Sequence, residues 1–127
     1  MTKYPKMSPA DIEHIKSIMD RNQAKVRRLN DNLRIHGRGG IVLITCGIAG
    51  LDPSTIREVL AAVASFEAFN ADNDPVGVHD CAILTVAGVE VLWKIDSYDR
   101  SRRFRSPDPT DPKVTVRVLT IMRADEY

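Results

Sequence analysis

Residues 79–99, with the sequence HDCAILTVAGVEVLWKIDSYD, form the stretch that decides the fold. The segment Cys81–Ala87 is apolar or β-branched at most positions, Gly88 interrupts the pattern, and Val89–Asp96 resumes it. Two strand-like segments separated by a turn that contains glycine are typical of a β-hairpin. We therefore predict an antiparallel pair of strands with its turn at Gly88.

The second strand of this hairpin alternates between two kinds of residue. Successive side chains of a strand point to opposite faces of the sheet. Lys94 and Asp96 then project from one face. Trp93 lies on the other, where its large ring anchors the core and its N–H needs a partner. The predicted core face consists of Val89, Val91, Trp93 and Ile95.

Polar residues gather where the hairpin opens. The start of one antiparallel strand lies beside the end of its partner, so His79 and Asp80 are expected close to residues 96–99. The alternative is structural: the lysine and aspartate of the second strand form an exposed ion pair of small energetic value, and the outer aspartates cap loops. The candidate binding residues are His79, Asp80, Lys94, Asp96, Tyr98 and Asp99.

The N-terminal segment predicts a long helix after a flexible start at residues 1–8. Ser8 can cap this helix, Pro9 suits its first position, and Asp11 favours the positive end of the helix dipole. An apolar stripe with steps of three and four residues extends over about 25 residues, or about 37 Å. The stripe consists of Ile12, Ile15, Met19, Asn22, Val26, Leu29 and Leu33.

The length of this helix leaves two arrangements open. Either it lies across the sheet as a single helix, or it extends beyond its own core and packs against a partner or a second copy, forming a homodimer. Asn22 interrupts the stripe at a position where a polar residue sets the register of a coiled coil. Because the repeat covers few heptads, the single helix is the simpler arrangement.

The remaining elements complete an α+β domain. Ile41–Cys46 is a continuous apolar run, which predicts a strand buried on both faces or placed centrally. A second helix follows from Asp52 to near Asn70, and Lys113–Arg123 is the last strand. We predict the order α-β-α-β-β-β and a four-stranded, mainly antiparallel sheet with two helices packed on it. The 127 residues are expected to form one domain.

Two loops resemble ligand-binding motifs without completing them. Gly47–Gly50, between a strand and a helix, lacks a phosphate-binding pattern, so a tight turn is favoured. Asn70–Val78 spaces its polar residues like the start of a calcium loop, but Pro75 stands where such a loop needs glycine. We therefore predict turns in this segment, and no cofactor.

An Arg- and Pro-rich loop follows the hairpin at residues 100–112. Its arginines surround Phe104, an arrangement that can bind phosphates and stack on a base, so nucleic acid is a candidate partner. Alternatively, the arginines pair with nearby aspartates in a solvated loop. The candidate binding residues here are Arg102, Arg103 and Arg105.

Charge and composition bound the class of protein. The net charge is +1, but residues 1–38 carry +5, residues 39–92 carry −6 and residues 93–127 carry +2. Such asymmetry allows an anion-binding face or an acidic partner-binding face. With no membrane span and no secretory signal we expect a cytoplasmic protein, and Cys46 and Cys81 as free, buried thiols.

Several short motifs carry a resemblance to a known family. They are Arg38-Gly39-Gly40, Asn73-Asp74-Pro75, His79-Asp80, Trp93-Lys94-Ile95-Asp96 with Tyr98-Asp99, Ser106-Pro107-Asp108-Pro109 and Arg117–Met122. Through them, residues 25–127 resemble a small bacterial family, domain-of-unknown-function family 3768. The family label carries no activity and no catalytic residues. Members of this kind are often encoded on mobile elements, which implies an accessory role such as countering host defence.

Three hypotheses of function follow. The favoured one is a protein that acts by interaction with a protein or nucleoprotein, such as an anti-CRISPR or anti-restriction inhibitor. The second is a metal-dependent hydrolase or nuclease, with Asp80, Asp96 and Asp99 as metal ligands and His79 as base. The third is a nucleic-acid-binding module that uses the Arg-rich loop. Binding is favoured over catalysis because no catalytic motif is complete.

Overall fold

The computed structural model describes residues 6–127. It contains three α-helices, four strands and two short 3₁₀ turns at Pro112–Val114 and Ala124–Glu126. The helices are α1 (Pro9–His36), α2 (Cys46–Ala49) and α3 (Pro53–Ser65), and the strands are β1 (Ile41–Ile44), β2 (Cys81–Val86), β3 (Val89–Tyr98) and β4 (Val116–Arg123). The predicted α+β class is confirmed, with one short helix, α2, added to the predicted order. Most of the predicted flexible N-terminus lies outside the described residues.

Helix α1 begins and ends as the sequence predicts. The Ser8 hydroxyl accepts a hydrogen bond from the Asp11 N–H, and the Asp11 carboxylate accepts one from the Ser8 N–H, each at 3.1 Å. These bonds lower the pKa of Asp11. Gly37 ends the helix with φ of 67°, in the left-handed region that suits glycine. Only the last part of α1 is buried, at Asn30, Leu33 and Arg34, whereas every residue from 6 to 22 is exposed.

The hairpin of β2 and β3 is confirmed, and its turn consists of Ala87 and Gly88. Both residues have positive φ, 50° and 78°, as a two-residue turn that matches the twist of the strands requires. The predicted core face is confirmed: Val91 and Trp93 are fully buried, and Ile95 is 7% exposed. Strand β3 runs two residues further than predicted, to Tyr98.

The sheet is mixed, and its strand order is β1-β4-β3-β2. The pairs β2–β3 and β3–β4 are antiparallel, whereas β1 pairs parallel with β4. The prediction that the first strand is central or buried on both faces is wrong, because β1 forms an edge. Its residues Val42, Leu43 and Ile44 are 43%, 50% and 40% exposed. Strand β4 lies inside the sheet, between β1 and β3.

One hydrophobic core joins the helices to the sheet. Leu33 of α1, Ile48 of α2, and Val59 and Val63 of α3 belong to the same buried cluster as Trp93. Burial of such side chains stabilises the fold by about 1.5–3 kcal/mol each. The core therefore lies between the sheet and the helices. Helix α1 packs against it through its second half. Among the described residues, none of the helices is both long and apolar enough to cross a membrane.

Candidate binding site

The open end of the hairpin forms one side of a cleft. The Ile95 N–H donates to the Asp80 carbonyl oxygen at 2.7 Å, which places Asp80 beside the end of β3. Helix α1 and the loop after β3 supply the other walls. The cleft has a volume of about 560 Å³. Its lining residues are Val26, Asn30, Val78, Asp80, Ile95, Asp96, Ser97, Tyr98, Arg105, Ser106 and Pro109. Four of the predicted candidates, Asp80, Asp96, Tyr98 and Arg105, therefore line one cleft.

The carboxylates of the cleft differ in their environment. Asp80 is exposed as a residue, but loss of water around its carboxylate raises its pKa, and the negative charges of Asp74 and Asp96 raise it further. Asp96 is paired with Lys94, with 2.9 Å between Oδ2 and Nζ. The hydrogen bond that Lys94 donates to Asp96 in turn raises the pKa of Lys94. The cleft thus has an acidic side with two carboxylates, of which Asp96 is ion-paired with Lys94.

His79 points away from the hairpin end, contrary to the prediction. Its backbone has φ of 54°, in the left-handed region, which directs the side chain toward the helices. Its Nδ1 lies 2.8 Å from Asp31 Oδ1, and its Nε2 lies 3.5 Å from Asp74 Oδ2. The imidazole also stacks on the ring of Phe69, with 3.8 Å between centroids and 6° between planes. His79 therefore joins α1 to the loop before the hairpin.

Asp31 also holds Arg34, a residue that sequence reasoning did not single out. Arg34 donates to Asp31 Oδ1 at 3.2 Å and to the carbonyl oxygens of Val63, Ala64 and Phe66 at 2.9, 3.1 and 2.9 Å. Val63 and Ala64 lie in the last turn of α3 and Phe66 follows that helix, so the guanidinium caps its C-terminal end. Its Cζ lies 5.2 Å from the centroid of the Trp93 ring. The expected partner of the Trp93 N–H is missing among the described residues.

A second buried arginine lies close to the floor of the cleft. Arg117 is 2% exposed, and its Nε donates to Asn30 Oδ1 at 2.8 Å. Its NH2 donates to the Pro109 carbonyl oxygen, and the Asn30 amide donates to the Val78 carbonyl oxygen at 2.9 Å. Among residues 6–127 no carboxylate pairs with Arg117, and burial lowers its pKa. In the sequence, only the position of Arg117 on the core-facing side of β4 could have indicated that this arginine is buried.

Asp99 organises the loop after β3 rather than the cleft. Its Oδ1 accepts hydrogen bonds from the Ser101 hydroxyl at 2.9 Å and from the backbone N–H of Arg103 at 3.1 Å. Desolvation raises the pKa of Asp99, but these bonds and those from the N–H groups of Phe104 and Arg102 lower it more. Arg102 and Arg103 are exposed in this loop. The capping role that we weighed as an alternative for Asp99 is the one the structure shows.

The predicted metal ligands do not gather around one point. The metal-dependent hydrolase needs Asp80, Asp96 and Asp99 to approach a common ion. Within residues 6–127, no group of three or more histidine, cysteine, aspartate or glutamate residues could hold a metal ion. The geometry therefore gives this hypothesis no support.

Two further predictions concern the glycine-rich turn and the two cysteines. Thr45 and the Gly47 N–H donate to the carboxylate of Glu126 at 2.7 and 3.2 Å, so a side chain of the protein itself fills the turn weighed as a phosphate cradle. Cys46 and Cys81 are free, but the prediction that they are buried is wrong because both are exposed. Partial desolvation raises the pKa of Cys81, and the charge of Asp80 adds to this effect.

The fold is that of a small α+β protein with a cleft at the open end of the hairpin, and comparison with known families identifies its family. Residues 44–126 match the family described as protein of unknown function (DUF3768). This match covers more than half of the chain, so the protein belongs to that family. It begins at Ile44, which leaves α1 and the Arg38-Gly39-Gly40 motif outside it. The chain matches no curated protein and no solved structure.

Proposed function

We propose that this protein acts by binding another macromolecule, as a dimeric interaction protein, and not by catalysing a reaction. The observation that carries the proposal is the exposed first half of α1, which the core does not cover. Its apolar residues are Ile12, Ile15, Ile18 and Met19, which are 44%, 41%, 38% and 53% exposed.

The first half of α1 needs a contact that its own domain does not provide. The segment from Pro9 to Asn22 is about 21 Å long at 1.5 Å per residue. Isolated helices shorter than about 12–15 residues are marginal in water, since most helical stability in proteins comes from packing of the apolar face. Leaving four large apolar side chains in water also forgoes their burial free energy. A partner helix would remove both costs.

A second copy of the chain fits this surface in an antiparallel arrangement. The stripe continues to Leu33, which is fully buried in its own core, so the body of the protein lies on the same side as the stripe. Two parallel helices would bring both bodies into the same space, whereas antiparallel helices place them at opposite ends. In that arrangement Ile15 packs against Met19 of the second copy. Asp11 then lies beside Lys25 of the second copy, an attractive pair that occurs twice.

The polar candidates support binding over catalysis. Lys94 and Asp96 form an ion pair, Asp99 holds its own loop, and His79 is held between two carboxylates by α1 and the preceding loop. Each of these side chains already has a structural partner. A general acid or base must instead be free to reach a substrate proton.

The finer form of the proposal is an accessory protein of a mobile element that works in the bacterial cytoplasm and inhibits a host defence system, such as CRISPR or restriction. Its support is the resemblance to a family of this kind and the uneven charge, with −6 over residues 39–92 and +5 over residues 1–38. Uneven charge of this kind favours docking on a nucleoprotein target.

The test combines sedimentation velocity with capture of a partner from a host lysate. The wild type is expected to sediment as a dimer and to retain one partner in fixed stoichiometry. A variant with Ile15→Asp and Met19→Asp should be monomeric and lose helical signal. The matched control carries His14→Asp and Ser17→Asp, which add the same charge to the same helix outside the stripe, and should stay dimeric. A wild type that is monomeric at tens of micromolar and retains no partner would refute the proposal.

A further inference from the structure

The loop at residues 100–105, here named the Arg loop, is an ordered surface feature. It leaves the sheet at Tyr98 and returns at Arg105, and these two residues form an antiparallel bridge. The Asp99 N–H donates to the Phe104 carbonyl oxygen at 2.8 Å, and the Arg102 N–H donates to the Asp99 carbonyl oxygen at 3.0 Å. With the bonds to the Asp99 carboxylate, the loop backbone is held from within. A loop whose backbone is fixed in this way has little backbone entropy left to lose on binding.

The arginine side chains of the Arg loop form no ion pair within residues 6–127. Phe104 is 71% exposed, which leaves most of its ring in water. Four exposed arginines surround it. Asp99, the aspartate that precedes them, instead accepts hydrogen bonds through its Oδ1 from the Ser101 hydroxyl and from backbone N–H groups. The predicted alternative, in which the arginines pair with nearby aspartates, is therefore not what the structure shows. The four arginines are Arg100, Arg102, Arg103 and Arg105.

The Arg loop stands at the mouth of the cleft. Arg105 lines the cleft together with Tyr98 and Ser106, and Val26 and Asn30 of α1 form the opposite wall. Arg105 therefore brings a positive group to the cleft, which Asp80 and Asp96 also line. A ligand with negative charge outside and hydrogen-bond donors inside matches this pattern.

We propose that the Arg loop binds single-stranded nucleic acid, with its arginines on the phosphates, Phe104 stacked on a base, and the cleft taking a neighbouring base. Arginine contacts to phosphate are charge-assisted and bidentate. An exposed aromatic ring stacks on the face of an unpaired base, which a duplex does not offer. Carboxylates such as Asp80 and Asp96 accept hydrogen bonds from the amino groups of bases but repel phosphates. The inner acidic wall thus keeps the backbone on the loop and directs the base inward.

The chemistry favours this occupant over an acidic protein or an anionic membrane. Acidic side chains of a peptide would pair with the arginines but have no ring to stack on Phe104, whereas every nucleotide offers both a charge and a planar base. A membrane would take up a broad apolar patch, whereas the loop presents one ring between four charges. The proposal concerns a surface distinct from the stripe of α1, and it stands whether or not the protein is a dimer.

The test measures fluorescence anisotropy of labelled oligonucleotides with the full chain. A single strand of about 12 nucleotides should bind more tightly than the duplex of the same sequence. Its log affinity should fall with log salt by about 0.7 per phosphate contact. Arg102→Ala with Arg103→Ala should weaken binding and reduce that slope by about 1.4. Phe104→Ala should weaken binding about 5- to 150-fold without changing the slope, since stacking releases no counterions.

The control for the Arg loop variants changes two arginines outside the loop. Arg38→Ala with Arg57→Ala removes two exposed arginines elsewhere and should leave the affinity close to that of the wild type. Urea unfolding of every variant should match the wild type, because the altered side chains are exposed. The proposal is overturned by the absence of single-strand binding at about 50 mM salt. It is equally overturned by unchanged affinity in the Phe104 variant, by equal losses in the control, or by binding to anionic vesicles in place of the oligonucleotide.

Discussion

Asp31 accepts His79 Nδ1 at 2.8 Å with the same carboxylate oxygen that accepts Arg34 NH2 at 3.2 Å. Through this oxygen, α1 is joined to the end of α3 and to the loop before the hairpin. His79 also approaches Asp74 and stacks on Phe69. The junction between α1, the end of α3 and the loop before β2 is therefore fixed by a chain of polar contacts.

Asp31→Ala should destabilise the fold by about 1–3 kcal/mol, because it removes the carboxylate oxygen that accepts from both His79 Nδ1 and Arg34 NH2. The measurement is urea unfolding followed by circular dichroism. Asp20→Ala is the matched control, since Asp20 lies on the same helix, is exposed and has no side-chain partner among the described residues. Equal midpoints for the two variants would show that the Asp31 contacts contribute nothing.

Arg34→Lys should cost about 2–4 kcal/mol, although it keeps the positive charge. A single ammonium cannot reach the carbonyl oxygens of Val63, Ala64 and Phe66 together, nor lie flat against Trp93 as a guanidinium does. Chemical unfolding monitored by Trp93 fluorescence measures the loss. Arg28→Lys, at an exposed position of the same helix, should stay within about 0.5 kcal/mol of the wild type. A similar small change at position 34 would contradict the capping role.

Asp80→Asn should stabilise the protein at neutral pH, with a gain that disappears in acid. The pKa of Asp80 is raised in the folded state, chiefly by desolvation, so the folded protein holds this proton more tightly than the unfolded chain does. The stabilisation of the fold by the protonated carboxyl is fully present below the ordinary pKa of 3.8. It is lost as the pH rises through the raised pKa of the folded state. Unfolding curves of variant and wild type between about pH 3 and pH 8 should diverge with rising pH. Asp72→Asn, in the exposed loop, is the control, and parallel curves for position 80 would refute the assignment.

Local signals explain what could be predicted from the sequence. The hairpin was predicted from the alternation of residues and from Gly88. The start of α1 was predicted from Ser8 and Asp11, which hydrogen-bond to each other. Both signals involve residues that are close together in the chain. The order of strands in the sheet is not local. An apolar run such as Ile41–Ile44 occurs both in central strands and in edge strands that another chain could cover. The sequence pattern does not distinguish the two positions, so the prediction of a central strand was wrong.

The misplaced parts of the candidate site have a different cause. The direction of His79 depends on one residue in the left-handed region, which the sequence pattern does not reveal. Arg34 and Arg117 are buried, although arginine is rarely fully buried in proteins. Most of their partners are backbone carbonyls, which every residue carries and no motif marks. Asp80, Asp96 and Tyr98 were placed correctly because the hairpin register alone determines where they lie.

Leu43→Lys should reduce self-association without loss of stability. Strand β1 is an edge strand whose apolar side chains are half exposed, and such an edge is a template for pairing with another chain unless a charge protects it. Light scattering during incubation at rising protein concentration should show a later onset for this variant, while its unfolding midpoint stays close to that of the wild type. Val76→Lys is the matched control, because Val76 is 53% exposed but lies in a loop. If both variants delay scattering equally, exposed apolar area drives association and the open edge of β1 does not. If only Leu43→Lys does so, the edge itself is the contact.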